Sequence, residues 1–261
     1  MDKKLIATLA NELYQAEKTH TPIDALTARY PDISNEEAYQ VQLAGMQLRQ
    51  ADGQTLVGKK IGLTSKAMQA ALSVFEPDYG YITDQMMVLE GDTLSLGELI
   101  APKVEAEVAF VLKEDLPGPG VTVSRVLQAT AGVLPALEII DTRIKDWKIK
   151  IQDTIADGAS IGKIIVSGRL VPVDEFDMRL MGLVLEKNGE VIATAAGAAV
   201  LGHPANAVAW LANKLSGYGI SLKAGDIVMS GSLTAACPVN AGDSVRATFD
   251  RLGAVGAKFS K

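Results

Sequence analysis

The first 55 residues follow a helical pattern of apolar and polar positions. Between residues 2 and 19, apolar side chains recur every three or four positions, which predicts an amphipathic helix. A second helix is predicted to begin at Ser34, because Ser34 and Glu37 form a capping-box pattern, and to end at Asp52-Gly53. We expect residues 1–55 to be a small N-terminal helical region that packs on the rest of the chain or on a neighbouring subunit.

From residue 56 onward the pattern changes to short apolar runs separated by glycine, proline and aspartate. These runs predict strands at 56–62, 104–112, 134–142, 162–167, 180–187, 190–196, 226–231, 244–250 and 254–260. Asn188-Gly189 separates two of these strands and predicts a tight antiparallel hairpin. Helices are predicted at 122–130 and, after Pro204, at 204–216.

Strands and helices do not alternate regularly in this part of the chain, which argues against a doubly wound parallel sheet. A mixed or mostly antiparallel arrangement of strands with a few helices fits the pattern better. We therefore predict an α+β fold, in which residues 56–261 form a mixed β-roll and residues 1–55 a small helical region.

Composition narrows the classes of function. A formal net charge of −6 and the absence of a cluster of lysines and arginines argue against nucleic acid as a partner. The single cysteine, Cys237, excludes an internal disulfide framework and a cysteine-based zinc site. The sequence has neither a signal-peptide pattern nor an apolar run long enough for a membrane span. We expect a cytoplasmic protein with no membrane partner.

The predicted strand at 104–112 carries two acids in an apolar run. Residues two apart in a strand point to the same face, so Glu105 and Glu107 project together. A third acid, Glu138, lies inside the apolar run 134–142, where an unpaired charge is costly. Three carboxylates from two strands would offer an oxygen-only site suited to Mg²⁺ or Mn²⁺. The spacing alone equally allows acids that pair with lysine or arginine on neighbouring strands, or that face solvent.

Two lysines and another acid occur in glycine-containing segments. Lys59 and Lys60 lie between Gly58 and Gly62, at the end of a predicted strand, and should point to opposite faces. One of them could reach a pocket and hold an anionic substrate, although two solvated lysines are the simpler interpretation. Asp78 lies in the segment 76–80, whose composition predicts a turn.

Serines and histidines give weaker signals. Ser160 ends the loop 157–160, and Ser230 and Ser232 flank a glycine that could present backbone N–H groups and hydroxyls to an anion, although most such segments are plain turns. Neither His20 nor His203 has the acid and nucleophile context of a hydrolase triad. No dinucleotide-binding or Walker motif occurs.

Six segments, read in order along the chain, resemble one enzyme family. They are 58–65, 76–80, 104–107, 135–143, 146–150 and 198–204. With them the chain resembles, essentially end to end, the 2-hydroxypenta-2,4-dienoate (2-keto-4-pentenoate) hydratases of the fumarylacetoacetate hydrolase superfamily. These enzymes work in the meta-cleavage degradation of aromatic compounds.

The resemblance implies a divalent-metal-dependent hydro-lyase that forms 4-hydroxy-2-oxopentanoate. It places the metal ligands at Glu105, Glu107 and Glu138, with Mg²⁺ or Mn²⁺ as the ion. It places the active-site lysine at Lys60 and the catalytic acid at Asp78. Residues 56–261 would then be the catalytic domain of a homo-oligomer. Its partners would be a 2-oxo or 2-hydroxy dienoic acid and, in a complex, other enzymes of the pathway. Substrate carboxylate contacts are expected from three serines: Ser160, Ser230 and Ser232.

Other activities of the superfamily stay open. 4-Oxalocrotonate decarboxylase resembles this chain in fold and metal, but Asp78 and the segment 146–150 favour the hydratase. C–C bond hydrolases of acylpyruvates resemble it too, but they add a His–Glu dyad, whereas the third residue after His20 is Ile23. A metal-binding scaffold without turnover is less favoured, because the acids and the lysine are intact. The loop that reads Asp-Asn-Ala-Ser in relatives has Gly158 at its second position here, which removes one amide group.

Overall fold

Two mixed β-sheets and a set of helices make up the chain. The structure is a computed structural model that describes residues 1–71 and 74–261. The helices are α1 (Lys3–Lys18), α2 (Leu26–Arg29), α3 (Asn35–Ala51), α4 (Lys66–Ala71), α5 (Val123–Ala129), α6 (Ile151–Ala156) and α7 (Pro204–Ser216). The strands are β1 (Leu56–Gly62), β2 (Asp78–Thr83), β3 (Met87–Val88), β4 (Thr93–Ser95), β5 (Lys103–Leu112), β6 (Thr130–Ile140), β7 (Ile161–Val166), β8 (Gly182–Lys187), β9 (Glu190–Ala196), β10 (Ile227–Met229), β11 (Cys237–Pro238), β12 (Ser244–Phe249) and β13 (Gly253–Ser260).

The larger sheet carries the residues of interest. It has eight strands in the order β2-β1-β10-β5-β6-β7-β3, with β11 paired to β5. Strands β1 and β10 run parallel, whereas β5 and β6 are antiparallel. The second sheet has five strands in the order β4-β13-β12-β8-β9 and contains one parallel pair, β13 with β4. The predicted α+β fold with mixed strand directions is confirmed.

The N-terminal helices form as the pattern predicts. Ser34 and Glu37 make a reciprocal capping box at the start of α3, in which the Glu37 backbone N–H donates to Ser34 Oγ at 3.2 Å. The apolar faces of α1 and α3 bury Leu9, Leu13 and Val41 in the same core as the larger sheet. Gln42 of α3 donates from Nε2 to carbonyls of β2 and α6, at 2.8 and 2.7 Å. None of the described helices combines the length and apolarity that crossing a bilayer requires.

The alternation along β5 explains why its acids share one face. Val104, Ala106, Val108 and Phe110 are completely buried in the main core. Because successive side chains of a strand point to opposite faces, the odd-numbered residues must face the other way. The predicted division of this strand into an apolar face and an acidic face is confirmed.

The predicted turn and helix signals around β9 and α7 are also confirmed. Asn188 and Gly189 both adopt positive φ, 54° and 82°, as a two-residue hairpin turn between β8 and β9 requires. Pro204 occupies the first turn of α7. His203 caps that helix, because its Nδ1 accepts a hydrogen bond from the Ala205 backbone N–H at 3.0 Å.

Three predictions from the pattern are wrong. Asp78 begins strand β2 and does not lie in a turn, since Asp78 pairs with Gly62 in the antiparallel ladder between β1 and β2. Strand β6 begins at Thr130, four positions before the predicted start at 134. The two lysines are not solvated. Lys59 is buried and forms an ion pair with Asp226 at 3.0 Å, and Lys60 is equally buried on the opposite face of β1.

Candidate active site

Three carboxylates meet on the inner face of β5 and β6. Glu105 and Glu138 are direct cross-strand partners in the register of these strands, and Glu107 follows two residues along β5. One oxygen from each of the three carboxylates lies within 4.8 Å of the others. Glu107 and Glu138 are completely buried, whereas Glu105 is half-buried and faces a cavity. Like charges directly opposite each other in a sheet are destabilising, so the arrangement needs a compensating cation.

The electrostatics of this acidic cluster, Glu105, Glu107 and Glu138, favour a bound cation. Burial, together with the charge of Glu138, raises the pKa of Glu105 to about 7, although Lys60 acts in the opposite direction. Burial and the two neighbouring carboxylates raise the pKa of Glu107 well above its ordinary value. Burial also raises the pKa of Glu138, against the lowering effect of Lys60. A divalent ion would remove this repulsion and let all three acids ionise.

The donor set fits a hard divalent cation. Within the described ranges, Glu107 Oε1 and Glu138 Oε2 are buried and have no hydrogen-bond partner. The other oxygen of Glu107 accepts from the Gly231 backbone N–H at 2.8 Å, which orients the carboxylate. Oxygen ligands about 2.1 Å from Mg²⁺ lie roughly 3–4 Å from one another, and one oxygen of each acid already lies within 4.8 Å of the others. The three acids can therefore hold such an ion after small side-chain adjustments.

Lys60 lies beside the acidic cluster. Its Nζ is 3.1 Å from Glu138 Oε1 and donates to the Ala159 carbonyl at 2.8 Å. Burial alone would lower the pKa of Lys60, but the negative charges of Glu138 and Asp78 raise it above its ordinary value. Lys60 therefore keeps its positive charge in the site.

Asp78 reaches the same site from the neighbouring strand β2. Thr154 Oγ1 of α6 donates to Asp78 Oδ2 at 2.8 Å, while Asp78 Oδ1 is buried and has no hydrogen-bond partner in the described part of the chain. Burial raises the pKa of Asp78, and Lys60 opposes this rise. A Cβ atom on Gly62 would lie 2.2 Å from Asp78 Oδ1, so the carboxylate occupies space that only glycine leaves free.

The loop that follows α6 has an unusual backbone. Gly158, Ala159 and Ser160 have φ values of 68°, 54° and 55°, a conformation that non-glycine residues adopt rarely. The buried ion pair of Asp157 with Arg143 fixes the start of the loop, at 2.5 Å between Arg143 Nε and Asp157 Oδ1. As a result the Ala159 carbonyl meets Lys60 Nζ. Gly158 lacks the amide side chain expected at this position, but the ion pair of Asp157 with Arg143 and the contact of the Ala159 carbonyl with Lys60 are both present.

The three predicted serines are placed differently. Ser160 lines the cavity, and its buried Oγ has no hydrogen-bond partner among the residues described. Ser232 also lines the cavity but donates to the Thr234 carbonyl at 2.8 Å. Ser230 is completely buried and is not part of the cavity wall. Their proposed contacts with a substrate carboxylate stay predictions.

The cavity that joins these residues has a volume of about 380 Å³. One part of its wall is polar and contains Lys60, Asp78, Glu105, Thr154 and Ser160. Another part is mainly apolar and is formed by Leu63, Ile140, Trp147, Ile149, Ala235 and Ala236. A small anionic molecule with a hydrocarbon chain matches this combination of walls.

Comparison with known proteins identifies the family. The sequence profile described as the C-terminal part of fumarylacetoacetate (FAA) hydrolase matches residues 54–260. The chain belongs to the fumarylacetoacetate hydrolase family.

Relatives in the fumarylacetoacetate hydrolase family cover 85–100% of the chain. The 2-hydroxyhexa-2,4-dienoate hydratase of Comamonas testosteroni is 43% identical over 262 residues, which span 100% of this chain and 99% of that protein. The 2-hydroxypent-2,4-dienoate hydratase of Pseudomonas putida is 50% identical over 222 residues, or 85% of this chain and 100% of that protein. The structure of 4-oxalocrotonate decarboxylase from Pseudomonas putida G7, complexed with magnesium and adipate, has a TM-score of 0.97 and 39% identity and covers 99% of this chain and 98% of that chain.

Sequence reasoning did not single out several polar residues of the cavity, among them Thr154 and Lys103. Thr154 could not be found from sequence alone, because its contact with Asp78 joins positions 76 residues apart. Lys103 carried a detectable signal, since it lies two positions before Glu105 and shares its face of β5.

Proposed function

We propose that this protein is a divalent-metal-dependent hydratase that converts 2-hydroxypenta-2,4-dienoate (2-oxopent-4-enoate) to 4-hydroxy-2-oxopentanoate. The observation that carries the proposal is the meeting of a three-carboxylate cluster with Lys60 and Asp78 at one cavity. The hydratases that are 43% and 50% identical to this chain support it.

The acidic cluster would hold the metal, with Glu105, Glu107 and Glu138 as ligands. Mg²⁺ and Mn²⁺ are the proposed ions, because both prefer oxygen ligands, and a relative was solved with magnesium. When bound, the ion supplies Lewis-acid stabilisation of negative charge on the 2-oxygen of the substrate.

Asp78 is proposed to handle the protons of the reaction. The 2-hydroxyl of the dienol loses its proton while C5 gains one, which gives a conjugated enone. Water then adds at C4, and C3 takes up a proton. Asp78 is suited to this role because it lines the cavity, keeps Oδ1 free of hydrogen bonds and has a raised pKa.

Lys60 and the serines are proposed to bind and orient the anionic substrate. The charge of Lys60 lies close to the site where negative charge develops and could also deliver a proton. Ser160 has a hydroxyl without a protein partner at the cavity wall, so it can donate to the substrate carboxylate. Ser230 and Ser232 are weaker candidates, since the former is outside the wall and the latter already donates to Thr234.

A second candidate is 4-oxalocrotonate decarboxylation. The TM-score of 0.97 with the decarboxylase from Pseudomonas putida G7 favours it. Hydration remains the first candidate, because it requires a group that donates and accepts protons along the carbon chain. The Asp78 carboxyl lies at the cavity wall and can do this.

One pair of assays tests the proposal with purified protein and added Mg²⁺. The first assay follows loss of the dienol chromophore, and the second measures CO₂ released from 4-oxalocrotonate. We expect dienol hydration to dominate. Release of CO₂ without dienol hydration would reverse the ranking.

We propose a cytoplasmic homo-oligomer in which residues 56–261 form the catalytic domain and residues 1–55 a small helical region. Exposed apolar side chains such as Leu180 and Val191, with 70% and 60% of their surface accessible, would suit a subunit interface. Association with other enzymes of the pathway is proposed from the family resemblance.

A further inference from the structure

A second lysine, besides Lys60, lines the cavity. Lys103 is the first residue of β5 and lies on the same face as Glu105, two positions away. Its cross-strand partner is Ile140, which also lines the cavity. Lys103 is half-buried, so part of its surface faces the cavity.

The ammonium of Lys103 is held by an aromatic ring. Its Nζ lies 4.1 Å from the centroid of the Trp147 ring, a close cation–π contact. Among the described residues, no carboxylate oxygen lies within 4.0 Å of this nitrogen. Lys59 and Lys60, in contrast, each have an acidic partner. Lys103 therefore keeps its charge available to a molecule in the cavity.

The Trp147 indole is held in place by the backbone conformation of residues 146 and 147 and by the segment that precedes β5. Trp147 Nε1 donates to the Ala101 carbonyl at 3.0 Å, just before the strand begins. Asp146 and Trp147 both adopt positive φ, 57° and 54°, which is rare for residues with a side chain. Backbone strain of this kind concentrates at ligand sites, where the surrounding structure maintains it. Here it presents the indole to the cavity and the lysine.

We propose that Lys103, seated on Trp147, is a carboxylate-binding subsite of this cavity. Since Lys103 is already ordered by the ring, little side-chain entropy is lost when a carboxylate binds. The carboxylate has two possible sources in a substrate. It is either the one next to the 2-oxo group or a second carboxylate at the far end of a dicarboxylic substrate. The proposal rests on the proposed function only for the identity of that substrate.

The test measures binding by calorimetry at saturating Mg²⁺, with two unreactive probes. One is 2-oxopentanoate, which has one carboxylate, and the other is 2-oxoadipate, which has two. K103M removes the charge and keeps the length of the stem. We expect it to weaken binding of at least one probe by roughly 10- to 100-fold, the usual contribution of a charge-assisted hydrogen bond.

The two probes distinguish the two sources of the carboxylate. Weaker binding of both probes assigns Lys103 to the 2-oxo acid end, and weaker binding of 2-oxoadipate alone assigns it to the distal end. K103R keeps the charge and should retain most of the affinity. The matched control is K113M, which removes the same charge from the exposed residue that follows β5.

Three results would overturn the proposal. They are equal binding of both probes to K103M and the wild-type protein, an equal loss in K113M, and a loss in K103M that disappears when Mg²⁺ is raised further. Absence of binding to the wild-type protein would count against it equally. Since neither probe needs to react, a failure of dienol hydration would leave the test intact and would count only against the proposed function.

Discussion

Two of the buried ionic clusters in the described part of the chain differ in how completely their atoms are partnered. In the first, Arg143 donates to Asp157 and to the carbonyls of Asp141 and Ile161, and Thr142 Oγ1 also donates to Asp157 at 3.0 Å. In the acidic cluster of Glu105, Glu107 and Glu138, Lys60 forms an ion pair with Glu138, and three buried oxygens have no hydrogen-bond partner in the described ranges.

The difference separates a structural role from a ligand-binding role. A buried ion pair whose atoms are all satisfied holds two segments together, and here it fixes the strained loop that carries Ala159 to Lys60. A buried cluster with excess negative charge is costly until something positive arrives. The first cluster should therefore respond to mutation through stability, and the second through metal binding and turnover.

The largest expected effect comes from removing one carboxylate from the acidic cluster. Glu107→Gln should abolish both Mn²⁺ binding and activity, because one of three charged ligands is lost. The same change should raise the thermal midpoint of the metal-free protein, because a buried carboxyl with a raised pKa lowers stability at neutral pH and the amide does not ionise. Metal stoichiometry and calorimetric unfolding measure the two effects. Glu36→Gln, at an exposed position of α3, is the matched control. Retained Mn²⁺ stoichiometry would exclude Glu107 as a ligand.

Asp78→Asn tests the acid that faces the cluster without belonging to it. We expect turnover to fall by roughly 10²- to 10⁴-fold, the usual contribution of a general acid or base. Metal binding should persist, because the three glutamates are untouched. Steady-state kinetics and a Mn²⁺ titration on the same preparation measure both properties. Activity close to that of the wild type would remove Asp78 from the mechanism.

Breaking the satisfied cluster should act mainly on folding. Asp157→Asn leaves the buried guanidinium of Arg143 without its charged partner, which typically costs about 3–5 kcal/mol. Urea unfolding of the metal-free protein measures the loss. Asp157→Asn should lower the free energy of unfolding of the metal-free protein, whereas Glu107→Gln should raise it. A loss below about 1 kcal/mol would mean that Asp157 is not held as a buried ion pair.

A smaller effect is expected from the hydroxyl that orients Asp78. Thr154→Val keeps the shape of the side chain but removes the hydrogen bond to Asp78 Oδ2. Residues that orient a functional group typically contribute roughly 10- to 100-fold in activity. Thr154→Ser should restore most of kcat, while the affinity for Mn²⁺ stays constant in both variants. Equal activity of the valine and serine variants would show that the hydroxyl is not used.

The smallest expected effect is a pH dependence at the rim of the satisfied cluster. Burial alone would raise the pKa of Glu17, but Arg49 and, more weakly, Arg143 lower it from 4.5 to about 2. A lowered pKa contributes stability above pH 4.5, which is lost as the pH falls towards 2. In Glu17→Gln the fall of unfolding free energy between these values should be shallower than in the wild type. Urea titrations at several pH values measure it, and parallel curves would refute the assignment.

Local patterns were sufficient to predict much of this structure. The alternation along 104–112 placed Glu105 and Glu107 on one face, the Ser-x-x-Glu pattern placed the start of α3, and Asn-Gly placed the hairpin. These features depend on neighbours along the chain. The metal, lysine and acid roles of the candidate site came instead from the family resemblance, and they stay predictions.

Contacts between distant positions could not be predicted in this way. Lys59 is buried because Asp226, 167 residues away, provides its charge partner. Asp78 lies in a strand because β1 offers an edge to pair with, although its local sequence is that of a turn. In both cases a tertiary contact outweighs the local preference.

The absence of a side chain at Gly62 has a consequence for how this protein can vary. Any other residue adds a Cβ atom, and that atom would lie 2.2 Å from Asp78 Oδ1 and 3.4 Å from Lys60 Nζ. Every substitution of Gly62 therefore places an atom in the space that the Asp78 carboxylate occupies. In a deep mutational scan selected for turnover, position 62 should tolerate no substitution, although nothing at that position touches the reacting carbons by itself.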